Sequence, residues 1–325
     1  MANIGILNPT ITDVAKRLDP NGKVDKIVEM LMQTNEILED MVVIEGNLPT
    51  GHKTTIRSGL PEAAWRMLNY GVQPSKSRTT QITDTCGMLE SYAEIDKDLA
   101  DLNGNTAAFR LSEDRAFLEA MNLQQASTLF YGDTTKNPER FLGLGPRFSE
   151  KDKSKAENAA NILNAGGTGS KCASIYLAVW GENTMHAIYP KGSKAGFQHK
   201  DLGEVTLTDE NGGRYQGYRT HYKWDIGLTV RDWRYIVRIA NIPENLASVN
   251  LIDLLVEASE MLPNKSMGRP VFYMNRQIRT ALRKQIMNKN NVHLSIDDVA
   301  GKKVLTFDDI PVRRCDVLLN TENAI

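Results

Sequence analysis

Cysteine is scarce in this 325-residue chain: Cys86, Cys172 and Cys315 are widely spaced and form no Cys-x-x-Cys pair. Their odd number and spacing exclude a disulfide framework or a zinc knuckle and read as reduced, small buried hydrophobes. No run of about 18 apolar residues occurs, and Met1 to Ile11 lacks a basic start followed by an apolar stretch. Neither a membrane span nor a secretory signal is read, and the chain is expected to stay in the cytosol. Excess charge is missing as well. Lys+Arg 39 against Asp+Glu 40 leaves a net charge of -1, which argues against a dedicated nucleic-acid binder with a strongly basic domain.

Catalytic signatures are also lacking. Gly166-Gly167-Thr168-Gly169-Ser170-Lys171 and Gly192-Ser193-Lys194 both fail the spacing of a phosphate-cradling P-loop. The histidines (His52, His186, His199, His221, His293) are scattered, with no His-Glu-x-x-His, and no Gly-x-Ser-x-Gly elbow is present. No catalytic, cofactor or metal site is read from this pattern. No internal repeat or low-complexity tract appears.

What the chain does have is a long polar excursion with little apolar content. Lys53-Thr54-Thr55-Ile56-Arg57-Ser58 leads out and Ser77-Arg78-Thr79-Thr80-Gln81-Ile82-Thr83 leads back, both rich in β-branched residues. Between them, Trp65, Met67, Leu68 and Tyr70 are the sizeable apolar groups, bracketed by Pro61, Gly71 and Pro74. An isolated two-stranded ribbon is marginal in water and its edges invite pairing. The segment from Leu48 to Tyr92 therefore reads as an arm that a second copy of the chain covers, with those four residues as interface anchors.

A helix is predicted over Val24 to Leu38, and Met88 to Leu99 reads as a further strand or short helix. Thr106 to Tyr131 lacks Pro and Gly and repeats apolar residues at helical spacing, predicting a rod of roughly 35 to 40 Å closed by Gly132. Residues 132 to 170 are loop-rich. From Cys172 to Ile242 the period becomes two, with Asn211-Gly212-Gly213 as a hairpin turn and Trp233, Tyr235, Val237 and Ile239 alternating with Arg234, Ile236 and Arg238. That pattern predicts an antiparallel meander with one buried face, and its tryptophans read as core. A helix over Leu246 to Leu262, a buried strand from Pro270 to Met274, a helix from Arg276 to Met287 and a terminal ribbon (Lys303 to Phe307 with Ile310 to Leu318) complete the chain. Arg276, Arg279, Arg283 and Lys284 line one side of their helix, either as solvated surface or as a face for a neighbour's acids or packaged nucleic acid.

Taken in order, the amino-terminal arm, the ribbon, the strand leading to Leu99-Ala100-Asp101, the long helix and the loop Leu142-Gly143-Leu144-Gly145 resemble the major capsid protein of a tailed bacteriophage of the Hong Kong 97 type. The resemblance is fullest over the first half of the chain. It implies an α+β fold with an N-arm (1–46), an extended β-ribbon loop (47–95), a peripheral domain (96–150 and 205–245) with its spine helix over 106–131, and an axial domain with terminal strands (151–204 and 246–325). It further implies a structural, self-assembling protein of the virion. Such a protein is put together in the host cytoplasm, and its hexamers and pentamers enclose double-stranded DNA held without sequence preference. Its partners would be itself and scaffold, portal and cement proteins, with no membrane, no cofactor and no catalysis. Trp65, Met67, Leu68, Tyr70, Arg276 and Arg279 are the interface candidates. One departure is that the strand from Asp225 to Ile242 precedes the helical half, where the family places such a strand near the carboxyl end. The Lys and Asn residues here form no motif for cross-linking, so non-covalent shells are expected. Two other readings are a soluble enzyme with the ribbon as a lid over a nucleotide or sugar site, and a jelly-roll component, which the long helix disfavours.

Overall fold

The computed structural model describes residues 35–102, 106–209, 211–287, 294–299 and 302–325. The helix expected over Val24 to Leu38 lies mostly outside them; its described end forms the short helix α1 (Ile37–Asp40). The strands are β1 (Val43–Glu45), β2 (Gly51–Gly59), β3 (Arg78–Asp96), β4 (Ile162–Asn164), β5 (Cys172–Trp180), β6 (Met185–Tyr189), β7 (Gln198–Thr208), β8 (Arg214–Val230), β9 (Ile236–Pro243), β10 (Arg269–Met274), β11 (Leu294–Val299), β12 (Lys302–Phe307) and β13 (Ile310–Arg314). Interspersed are α2 (Lys97–Ala100), α3 (Thr106–Tyr131), α4 (Leu144–Arg147), α5 (Leu251–Glu260) and α6 (Arg276–Met287).

Among the described residues these strands form one continuous sheet whose main path runs β11-β12-β13-β10-β5-β6-β8-β3-β2. It has two flanks. In one, β5 is antiparallel to both β10 and β9; in the other, β8 is antiparallel to β3, β6 and β7. A single residue pair, Trp180 with Met185, joins them where β6 begins beside the end of β5.

The β5 strand shows how one sequence serves two cores. All nine of its residues are buried. Tyr176, Ala178 and Trp180 point into a core with Phe130, Phe141, Phe148, Tyr222 and Trp224, whereas Ile175, Leu177 and Val179 point into a second core with Leu251, Leu255, Ile278 and Leu282. Strand alternation sends neighbours to opposite faces, so a strand covered on both sides reads as a continuous apolar run. The helix α3 covers the first face and the pair α5 and α6 the second.

This corrects the expected one-faced meander: β5, β6 and β9 are covered on both sides. Arg238 suggested a wet face, yet it is buried. It donates to Glu322 (2.8 Å) and to the Phe148 carbonyl (2.8 Å), and it stacks over Tyr176 at 5.5 Å. Its partners come from the carboxyl-terminal tail and from the segment after α3, which alternation within one strand cannot reveal. Trp233–Tyr235, read as strand, is a 3-10 turn capped by Asp232, whose side chain accepts from the Arg234 N–H. The helix expected from Leu246 is split into a 3-10 turn (Leu246–Ser248), capped by the Asn245 side chain, and α5, with extended backbone at Val249 and Asn250 between them.

Other expectations hold. The helix α3 spans 26 residues, about 39 Å at 1.5 Å per residue. It ends at Gly132, whose N–H donates to the Thr128 carbonyl at 2.9 Å. A Cβ on Gly132 would lie 2.3 Å from the Phe141 carbonyl oxygen, so glycine lets the returning chain cross the helix end closely. The hairpin of β12 and β13 turns through Asp308 and Asp309, both with positive φ (51° and 62°), as a type I′ turn requires. All three cysteines are free; Cys172 and Cys315 are buried as expected, whereas Cys86 is only half-buried.

Candidate functional site

The ribbon has a root, a shaft and a tip. In the shaft, β2 and β3 pair from Gly51 with Thr85 to Arg57 with Thr79, which is the out-and-back path read from the two β-branched runs. A bulge between Arg57 and Gly59 ends the regular register. Beyond it, residues 60–77 form no strand. The tip holds its course through a turn closed by the Tyr70 N–H on the Met67 carbonyl (3.2 Å), with Asn69 at φ 69°, and through the Ser75 hydroxyl donating to the Glu62 carbonyl (2.8 Å).

At this tip the four predicted anchors are bare. Trp65 is 104% exposed, Leu68 83%, Met67 69% and Tyr70 67%. Scattered surface hydrophobes are ordinary, but these four on one loop, with Leu60 and Val72 also exposed beside them, are not. Among the described residues no fold-back onto the chain's own body covers them. The ribbon is also basic: from Leu48 to Thr83 it carries Lys53, Arg57, Arg66, Lys76 and Arg78 against Glu62 alone.

The root, in contrast, is locked. Asp84 of β3 accepts from Arg147 of α4 at 2.6 Å, with only 4% and 13% of these side chains exposed. Arg147 also donates to the carbonyls of Leu228 (3.1 Å) and Leu142 (3.3 Å), so one guanidinium ties the ribbon to β8 and to the loop after α3. Asn47 acts as a short surrogate strand: its side chain accepts from the Lys53 N–H and donates to the Lys53 carbonyl, both at 2.7 Å. Beside them His52 and His186 meet edge to face at 5.8 Å. His186 is buried, and desolvation, with the adjacent His52 and Arg231 adding repulsion, lowers its pKa to about 4. His52 is lowered in the same direction by burial and by Arg231. The half-buried Cys86 thiol is pushed up to about 11, by burial and by Asp225 and Asp84, and is a poor nucleophile there.

Arg276 and Arg279 lie elsewhere, on α6 against the second core. Arg276 bonds Asp316 at 3.0 Å and remains exposed; Arg279 is half-buried. The structure therefore does not bring the six candidates together: four sit at the ribbon tip and two on a helix of the opposite flank. Sequence reasoning missed Asp84, Arg147 and Asn47. Asp84 sits in a run of threonines without any pattern of its own, and Arg147 is 63 residues away. Among the described residues no group of three or more His, Cys, Asp or Glu side chains could hold a metal ion.

Comparison with known proteins gives the arrangement its context. The sequence profile of the family described as Major capsid protein GP7 matches residues 19–325. In the near-atomic structure of bacteriophage Epsilon15, a chain 42% identical superposes with a TM-score of 0.76, covering 100% of this chain and 99% of that one. The bacteriophage JBD30 capsid, at 10% identity, shares the fold with a TM-score of 0.51 over 89% of this chain and 93% of that one. No curated protein matches. A profile match over nearly the whole length, on an α+β chain with a Hong Kong 97-like fold, places this protein in the GP7 major capsid protein family of tailed bacteriophages, as a structural component of the virion shell and not an enzyme.

Proposed function

We propose that copies of this chain assemble into hexamers and pentamers of an icosahedral shell around double-stranded DNA, and that each ribbon lies across the adjacent copy. The observation that carries this reading is the ribbon tip. Trp65, Met67, Leu68 and Tyr70 are solvent-exposed in the single chain, on a shaft whose root is fixed by Asp84 and Arg147. A preset direction lowers the ordering cost of docking, and a pair of aromatic side chains buries roughly 300 to 500 Å2. At about 25 cal/mol per Å2 that amounts to several kcal/mol per contact before ordering costs. The basic shaft favours an acidic landing surface, and many such contacts, each weak, sum to a strong shell.

In this reading the N-arm is residues 1–46, of which 1–34 lie outside the described residues, and the extended loop is 47–95. The peripheral domain is drawn from 96–150 and 205–245 with the spine α3, and the axial domain from 151–204 and 246–325. Strand pairing supports two adjustments: β6 pairs with β8 and goes with the peripheral domain, and β9 pairs with β5 and goes with the axial domain. Assembly takes place in the host cytoplasm, with scaffold, portal and cement proteins as further partners and DNA held without sequence preference. Arg276 and Arg279 belong to a subunit contact. Electron micrographs of the purified protein test the assembly, and the Trp65→Ala, Tyr70→Ala double variant tests the anchors. Shells from that variant equal in yield and stability to those of the parent would refute the anchoring role.

A further inference from the structure

Charge is sorted between the two helices that cover the second core. The α5 sequence, LIDLLVEASE, carries Asp253, Glu257 and Glu260 and no base; the α6 sequence, RQIRTALRKQIM, carries Arg276, Arg279, Arg283 and Lys284 and no acid. On α5, Asp253, Val256, Glu257 and Glu260 recur at helical spacing on the exposed side, and Val256 is 42% exposed as an apolar knob among acids. On α6 the exposed side holds Arg276, Gln277, Thr280, Arg283 and Lys284. Beside it runs an open groove lined by Leu246, Ala247, Thr280 and Ala281, with Arg276 and Lys284 among its other walls.

Within one chain these opposite charges are not used on each other. The two helices meet through apolar side chains and Gln285, which accepts from the Leu251 N–H (3.0 Å) and donates to the Val249 carbonyl (2.6 Å). Among the described residues no ion pair joins α5 to α6, and Arg279, Arg283 and Lys284 have no acidic partner; of the α5 acids, Glu260 has the exposed Lys265 at 3.5 Å. A basic groove with an apolar floor and an acidic ridge with an apolar knob are complementary in both charge and polarity. They sit at different places on the same molecule, which is the condition for a heterologous contact that can close into a ring.

We propose that α6 of one copy receives α5 of the next, head to tail, with Val256 over the groove floor and Glu257 and Glu260 facing Arg283 and Lys284. This rests on the ring-forming reading above and specifies the surface by which neighbours within a ring recognise one another. The test uses the full-length protein and two charge reversals, Arg283→Glu with Lys284→Glu on α6, and Glu257→Lys with Glu260→Lys on α5, each first checked for an unchanged thermal midpoint. Like charges in register cost several kcal/mol, so each reversal alone lowers the yield of closed particles by about tenfold or more in electron micrographs. Mixing the two reversed proteins restores rings, preferentially those with an even number of copies in which the two alternate. Combining both reversals in one chain restores ordinary particles. Parent-like assembly by either single reversal, or rescue by the combined chain without rescue by the mixture, overturns the proposal, the latter by placing the contact within one chain. Parent-like particles that retain less DNA overturn it in favour of a nucleic-acid face. Failure of the parent protein to form rings at all overturns instead the reading on which this one rests.

Discussion

The β3 strand is two regions in one. Over Cys86–Asp96 it is paired with β8, and Ala93 and Ile95 are buried beneath α2 and α3. Over Arg78–Thr85 its partner is β2, and nearly every side chain stands in solvent. Apart from the bulge between Arg57 and Gly59 the backbone ladder is regular in both parts, so hydrogen bonding does little to separate them; burial does. The inner half is ordered by its own chain, whereas the outer half is extended by local preference and held by the clamp at Asp84, where the two regimes change over. The body is thus packed by its own chain, whereas the limb leaves its apolar tip in solvent.

The comparison can be broken from the body outward. The largest expected effect is at the junction of the two cores. Arg238→Met would leave Glu322 buried beside Ser174 and Tyr131, its remaining partners at 2.5 Å, and should destabilise the chain by about 3 to 5 kcal/mol in urea unfolding. A loss below about 1 kcal/mol would mean that the pair is solvated in solution.

Next comes acid. His186 is held neutral, with its folded-state pKa depressed to about 4 from 6.5, so the unfolded chain binds the proton more readily between those values. Its stabilising contribution is therefore complete above about pH 6.5, decays as the pH falls, and levels off below about 4. The loss is about 3 kcal/mol at most. Replacing His186 by Gln should remove that part of the slope of stability against pH, measured as the difference between parent and variant; parallel curves would show that His186 does not titrate on unfolding. The charged neighbours that matter are His52, Arg231 and Glu182.

At the root, Asp84→Ala should cost about 2 kcal/mol, because Arg147 loses its carboxylate but keeps its carbonyl partners. Limited proteolysis should then cut the ribbon sooner. Equal cutting rates would show that the shaft pairing alone fixes the limb. Smallest of all is the effect of Trp65→Ala with Tyr70→Ala on the isolated chain: within about 0.5 kcal/mol, since neither side chain is buried there. The same variant should nonetheless form fewer shells, and a body destabilised by more than that would reveal a contact inside one molecule.

Features that are local in sequence were legible. The ribbon announced itself by two β-branched polar runs, α3 by an unbroken helical period, and the last hairpin by apolar runs meeting at Asp308 and Asp309. Whatever depends on a distant partner was not. Arg238 looked like a solvent-facing residue because Glu322 lies 84 positions on, and β9 looked half-wet for the same reason. The clamp at Asp84 left no trace, since a single aspartate among threonines has the spacing of a solvated strand. Of the candidate site, the apolar tip could be read directly, because large hydrophobes in a polar excursion have no local use. The sorting of acids onto α5 and bases onto α6 is also plain in the letters, but their joint cover of one core emerges only when both helices pack against Leu177 and Phe272.

The narrow join at Trp180 and Met185 leaves the seam between the two flanks of the sheet with little backbone pairing. Between β3 and β8 a crease would have to open a ladder running from Cys86 to Asp96, at about 1 kcal/mol per bond. Along the line between β5 and β6 the ladder offers one pair, yet the core that Tyr176 and Trp180 share with Tyr222 and Trp224 runs beneath that line, so side-chain packing and not backbone pairing holds the two flanks at their angle.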